Sequence, residues 1–153
     1  MRSALLALAL TAASAGLAHA DAKADNAAFL AKNATAEGVK SLPAIQYKVL
    51  KSGPADGPIT RRSSTVHVRY EGRFLNGKVF NTSAEVSPSD GIAVFPLQKL
   101  IPGWITVLQL MKRGDEWEVY LPPEFGYGAP GKDTVPPNSL LIFKIELVSS
   151  EPG

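Results

Sequence analysis

The chain has no cysteine among its 153 residues. That excludes a disulfide frame, a thiol nucleophile, a Cys-ligated zinc site and a lipidated cysteine. Histidine is almost as scarce. Only His19 and His67 are present, so a three-histidine zinc centre cannot be built, and no metal or other cofactor is expected. Charge is low as well. Charged residues make up 20%, and 16 Lys plus Arg nearly balance 14 Asp plus Glu. No large basic field results, which argues against nucleic acid as a partner. Neither a G-x-S-x-G elbow nor a Walker loop occurs, so hydrolysis and phosphoryl transfer lack their usual signatures. What is there is a hydrophobic fraction of 45%, enough to fill the core of one domain.

The first twenty residues read as a secretory leader. Arg2 gives a positive start, residues 4–18 are a small-apolar run, and Ala18-His19-Ala20 is an A-x-A cleavage pattern before the polar Asp21. The run is shorter than the roughly 20 residues of a membrane span and is mostly alanine, so no stable membrane anchor is expected. The expected organisation is a signal peptide over 1–20, an N-terminal helical arm and linker over 21–44, and one folded domain over 45–150. Export to a bacterial periplasm follows. His19 leaves with the leader. His67 shares the polar face of the alternating run Thr65-Val66-His67-Val68-Arg69-Tyr70-Glu71 and reads as a solvent-facing strand residue.

Residues 21–38 predict a modest helix, capped by Asp25 or Asn26 and stopped by Gly38. Its apolar stripe is mostly alanine with Phe29 and Leu30, too thin for a strong coiled coil. Strands are expected over 45–50, 65–74, 78–81, 93–97, 116–121 and 140–148. Asn76-Gly77 signals a tight turn between the second and third. Residues 51–64 and 83–91 read as loops. A buried helix is expected over 104–111, with Lys112-Arg113-Gly114-Asp115 ending it. Residues 122–139 form a long Gly/Pro-rich loop, a length that usually signals function. One short helix against one strongly bent antiparallel sheet is the natural α+β solution. Long loops overhanging one end of such a sheet favour a pocket there.

The segments VHVRYEGRFLNGKVFNTS, LIPGW, FGYGAPG and VPPNSLLIFKIEL occur together, in order, over residues 45–148. The set resembles the FKBP-type peptidyl-prolyl cis-trans isomerases, and with a leader and a helical arm it looks like their periplasmic Gram-negative branch. The resemblance implies a twisted antiparallel sheet wrapped around one short α-helix. It also implies a shallow aromatic pocket for a proline ring. Carried over by motif, Tyr70, Phe80, Asn81 and Tyr127 are the candidate catalytic residues. Phe95, Leu100, Ile101, Trp104, Val135 and Phe143 are the candidate substrate-binding residues. Phe95, Trp104 and Phe143 would serve as core in any such fold. Tyr70, Tyr127 and Ile101 are more telling, because two hydroxyls and a free backbone N–H would border an apolar site.

Two positions depart from the family pattern. Asn81 stands where an Asp is usual, and its side-chain oxygen can still accept from the Tyr70 hydroxyl. Ala93 stands where eukaryotic members often carry a Phe, which would open one pocket wall. The implied partners are unfolded or partly folded exported polypeptides with X–Pro bonds, and macrolide inhibitors. Larger members of the branch dimerise through a long helical module. The arm here is short, so a homodimer is not indicated. The competing reading is a periplasmic chaperone that holds proline-containing segments with little isomerase activity.

Overall fold

The computed structural model describes residues 12–153. The start of the expected leader therefore lies outside the described residues. Helix α1 (Ala12–Asn33) is continuous through Asp21, as its run of alanines favours. It stops five positions before Gly38. Both the N–H and the hydroxyl of Thr35 bond the Lys32 carbonyl, at 3.2 and 2.8 Å, and turn the chain away. The chain then forms a short strand, β1 (Val39–Ser41), inside the stretch expected to be linker. Three residues are too few to show a hydrophobic period.

The remaining strands are β2 (Gln46–Lys51), β3 (Thr65–Phe74), β4 (Val79–Thr82), β5 (Ala93–Pro96), β6 (Glu116–Leu121) and β7 (Leu141–Glu151). All pairings are antiparallel, in the order β1-β2-β6-β7-β3-β4, with β5 also paired to β3. The period of two decides which face is buried. Val66 and Val68 of β3, Val119 and Leu121 of β6, and Leu141, Phe143, Ile145 and Leu147 of β7 all enter one core. Burying such side chains stabilises by about 1.5–3 kcal/mol each.

Helix α3 (Pro102–Leu108) packs on that face with Gly103, Trp104, Val107 and Leu108 buried. A Cβ on Gly103 would fall 2.5 Å from Leu121 Cδ2, so glycine sets the approach of helix to sheet. The helix is shorter than expected. Leu110 and Met111 N–H both turn back to the Val107 carbonyl. Met111 remains buried while Leu110 is half exposed. Lys112 to Asp115 is therefore a separate turn rather than the helix end. Its buried Asp115 carboxylate accepts from the Lys112 and Gly53 N–H groups at 2.9 and 2.7 Å, tying in the 51–64 loop. Burial opposes ionisation of Asp115, but these donors and the Lys112 ammonium outweigh it and hold the carboxyl below its ordinary pKa.

A second correction concerns the expected 83–91 loop, which opens with one helical turn, α2 (Ser83–Val86). Thr82 and Glu85 form a capping box there, each side chain bonding the other's backbone N–H. On the opposite face of the sheet, Tyr120, Leu140 and Ile142 make a small second cluster. Helix α1 covers it with Phe29 and Leu30; the Phe29 and Tyr120 ring centroids are 5.8 Å apart. The arm is thus docked onto the sheet. Among the described residues no helix is long and apolar enough to cross a membrane.

Candidate active site

Strand β3 carries Tyr70 on its core side, and the bulge after Gly72 lets β4 bring Phe80 and Asn81 beside it. The Tyr70 hydroxyl donates to Asn81 Oδ1 at 2.5 Å. Its backbone N–H donates to the buried Ser83 hydroxyl at 3.0 Å, fixing α2 next to the tyrosine. Gly72 has no side chain for a spatial reason: a Cβ there would lie 2.6 Å from the Phe143 ring and 2.8 Å from the Phe80 ring. Those two rings meet edge to face at 5.7 Å.

Trp104 of α3 lies at the centre of the cluster. Its ring is perpendicular to Tyr70 at 5.0 Å and to Phe143 at 5.2 Å. Such edge-to-face pairs favour fixed ring positions. Phe95 closes one side, 6.4 Å from Tyr70. Together with Leu100, Ile101 and Tyr127 these residues enclose a hollow of about 470 Å³. Ile101 is the N-cap of α3. Its carbonyl accepts from Trp104 and Ile105, while its N–H bonds no protein acceptor among the described residues.

The hollow raises both phenol pKa values. Burial, then the neighbouring Tyr127 and Glu85, pushes Tyr70 up to about 12. Burial and then Asp133 raise Tyr127. Both rings therefore present neutral hydroxyls. The lining residues include no histidine, cysteine or carboxylate, so the site has no nucleophile–base pair.

Nine of the ten residues expected at the site line this hollow; Val135 does not. Val135 is buried in the core, where its N–H and carbonyl bond Lys132 reciprocally and brace the loop. Ala93 does not open a wall either. It pairs with Val68 and is buried in the same core. Three lining residues, Val86, Lys99 and Lys132, were not expected. Each comes from a turn or loop whose fold-back carries no periodic signal. The glycines of Gly126-Tyr127-Gly128-Ala129-Pro130-Gly131 have dinucleotide-fingerprint spacing, but no helix follows them. Gly128 and Gly131 have φ of 69° and 68°, so here glycine serves the turns. A larger groove of about 640 Å³ runs between α1 and residues 136–140, away from the tyrosine pair.

The family model for FKBP-type peptidyl-prolyl cis-trans isomerase matches residues 57–148, which span every residue lining the hollow. The chain belongs to the FKBP-type peptidyl-prolyl cis-trans isomerase family. It is 44% identical over 126 residues to the peptidyl-prolyl cis-trans isomerase Mip of Coxiella burnetii, covering 80% of this chain and 52% of that protein. The crystal structure of FkpA from Escherichia coli superposes with a TM-score of 0.82 at 33% identity, over 92% of this chain and 64% of that one. A Pseudomonas syringae peptidyl-prolyl cis-trans isomerase superposes with a TM-score of 0.76 at 32% identity, over 86% of this chain and 94% of that one. The chain spans about half the length of the curated relatives it matches. The FKBP fold of sheet, central helix and aromatic hollow accounts for the buried aromatic residues that the sequence offered as core or pocket.

Proposed function

We propose that the protein is a peptidyl-prolyl cis-trans isomerase that accelerates X–Pro isomerisation in exported polypeptides, without covalent or acid–base chemistry. Rotation about a peptide bond meets a barrier of about 18–20 kcal/mol because the C–N bond is partly double. The two X–Pro isomers differ by only about 0.5–1 kcal/mol, so the difficulty is purely kinetic. A catalyst needs only to bind the twisted amide better than the planar one.

One observation carries the reading. An aromatic floor of Trp104, walled by the perpendicular rings of Tyr70 and Phe143, is bordered by two donors with no protein partner among the described residues, the Ile101 N–H and the Tyr127 hydroxyl. Planar amides keep charge on oxygen and nitrogen and are favoured by water. Twisting removes that charge separation, so a dry aromatic floor favours the twisted form. The two donors hold the carbonyls that flank the proline and keep the rotating bond over Trp104. Asn81 accepts from Tyr70 and holds that ring upright at the edge of the floor.

The leader pattern over residues 1–20 supports delivery to a periplasm, where newly exported chains are the substrates. Macrolide inhibitors would compete for the same hollow. The test is refolding of a protein whose slow phase is proline isomerisation. Acceleration at about one part in a hundred supports the enzyme. An effect only at stoichiometric amounts indicates a holding chaperone.

A further inference from the structure

The wall of the aromatic hollow carries two cations and no carboxylate. Lys99 ends the 3-10 turn Leu97–Lys99 that leads into α3, and Lys132 follows Tyr127 in the long loop. Both are exposed, and neither ammonium is in an ion pair among the described residues. Lys132 Nζ lies 5.9 Å from the centre of the Tyr127 ring. The residue beside Tyr70 is the neutral Asn81, so it adds no negative charge. Glu85 and Asp133 act on the two tyrosines from nearby but do not line the hollow.

Resting on the isomerase reading above, we infer that Lys99 and Lys132 select prolyl segments with an acidic side chain next to the proline. The proline ring occupies the aromatic floor, and a Glu or Asp on either flank reaches an ammonium at the rim. A basic flank meets like charge and is disfavoured. An exposed ion pair is worth a factor of about 1.5 to 5, and it weakens as salt shortens the screening length.

The test compares short prolyl peptides that differ at one position, the residue before or after proline, as Glu, Gln or Lys. Exchange between isomers is measured by NMR with substoichiometric protein, at low and high salt. The wild type should act on the Glu peptides about two- to fivefold faster than on the Gln peptides and slowest on the Lys peptides. High salt, and a Lys99→Gln/Lys132→Gln double variant checked for an unchanged melting temperature, should bring the Glu-to-Lys ratio towards one. Equal rates for the three charges, or a ratio that survives both substitutions, overturns the inference while leaving the isomerase reading intact. Failure to accelerate any peptide overturns the isomerase reading and this inference with it.

Discussion

The Tyr70 hydroxyl donates to Asn81 Oδ1 at 2.5 Å, so an uncharged amide orients the tyrosine at the edge of the hollow. Removing either partner leaves a half-buried polar group unpaired, which costs about 1–3 kcal/mol for a buried group. Asn81→Ala should therefore lower kcat/KM by roughly tenfold. Asn81→Asp restores a stronger acceptor and should retain activity, because charge-assisted bonds hold more tightly. Kinetics on one uncharged prolyl peptide check both. Equal losses in the two variants would mean that the bond does not orient Tyr70.

Gly72 and the ring pair Phe80–Phe143 make a second prediction. A methyl at position 72 would sit 2.6 Å from Phe143 and 2.8 Å from Phe80, inside contact distance of both. Overpacking of this kind typically costs about 1–3 kcal/mol. Gly72→Ala should lower the melting temperature and displace both rings. It should also depress activity by more than the stability loss alone explains at temperatures where the variant is still folded. Unchanged ring chemical shifts in NMR would contradict this.

Alkaline pH should expose the buried phenols. Burial, then Tyr127 and Glu85, raises Tyr70 to about 12. Burial and the hydrogen bond to Glu118 raise Tyr120 to about 12. Unfolded, both ionise near about 10. Between these values the unfolded chain has released protons that the folded chain retains. The stability contributed by the neutral phenols is complete below about pH 10 and is lost as pH rises through about 12. The urea midpoint of the wild type should fall more steeply above about pH 10 than that of Tyr120→Phe. Parallel curves would remove Tyr120 from the explanation.

The docked arm makes a separable prediction. Phe29 packs on Tyr120, the Asn26 amide donates to the Asn138 carbonyl at 2.9 Å, and the Gln46 amide donates to the Leu30 carbonyl at 2.9 Å. All three contacts lie on the sheet face opposite the core or at the loop beside it. Phe29→Ala should cost about 1–3 kcal/mol of stability, below the full-burial figure because the ring is partly exposed. Peptide turnover should be unchanged. A urea titration and a rate measured on the same preparation decide this. A change in rate without a change in midpoint would contradict it.

The sequence made strands β3 and β6 legible to the residue, because Val66 and Val68, and Trp117 and Val119, alternate cleanly with polar neighbours. It hid β1, which is too short for a period. The T-x-x-E signal Thr82-Ser83-Ala84-Glu85 was readable as a capping box, yet polar content alone suggested a loop. The aromatic hollow was legible because Tyr70, Phe80, Trp104 and Tyr127 sit in distinctive motifs. Lys99 and Lys132 were not, since each joins the lining of the hollow only after its own turn or loop folds back. Val135 was misplaced for the opposite reason. Its segment borders the hollow, but its own side chain points into the core.

The most direct measurement is the NMR exchange rate of a short, uncharged prolyl peptide with protein at about one part in a hundred. An aromatic hollow that favours the twisted amide predicts faster cis–trans exchange, largely abolished by Trp104→Ala in a protein that still folds, with peptide-induced shifts centred on Tyr70 and Tyr127. Shifts at those residues with no change in the exchange rate would show a site that binds proline without easing its rotation, and would contradict the proposed function.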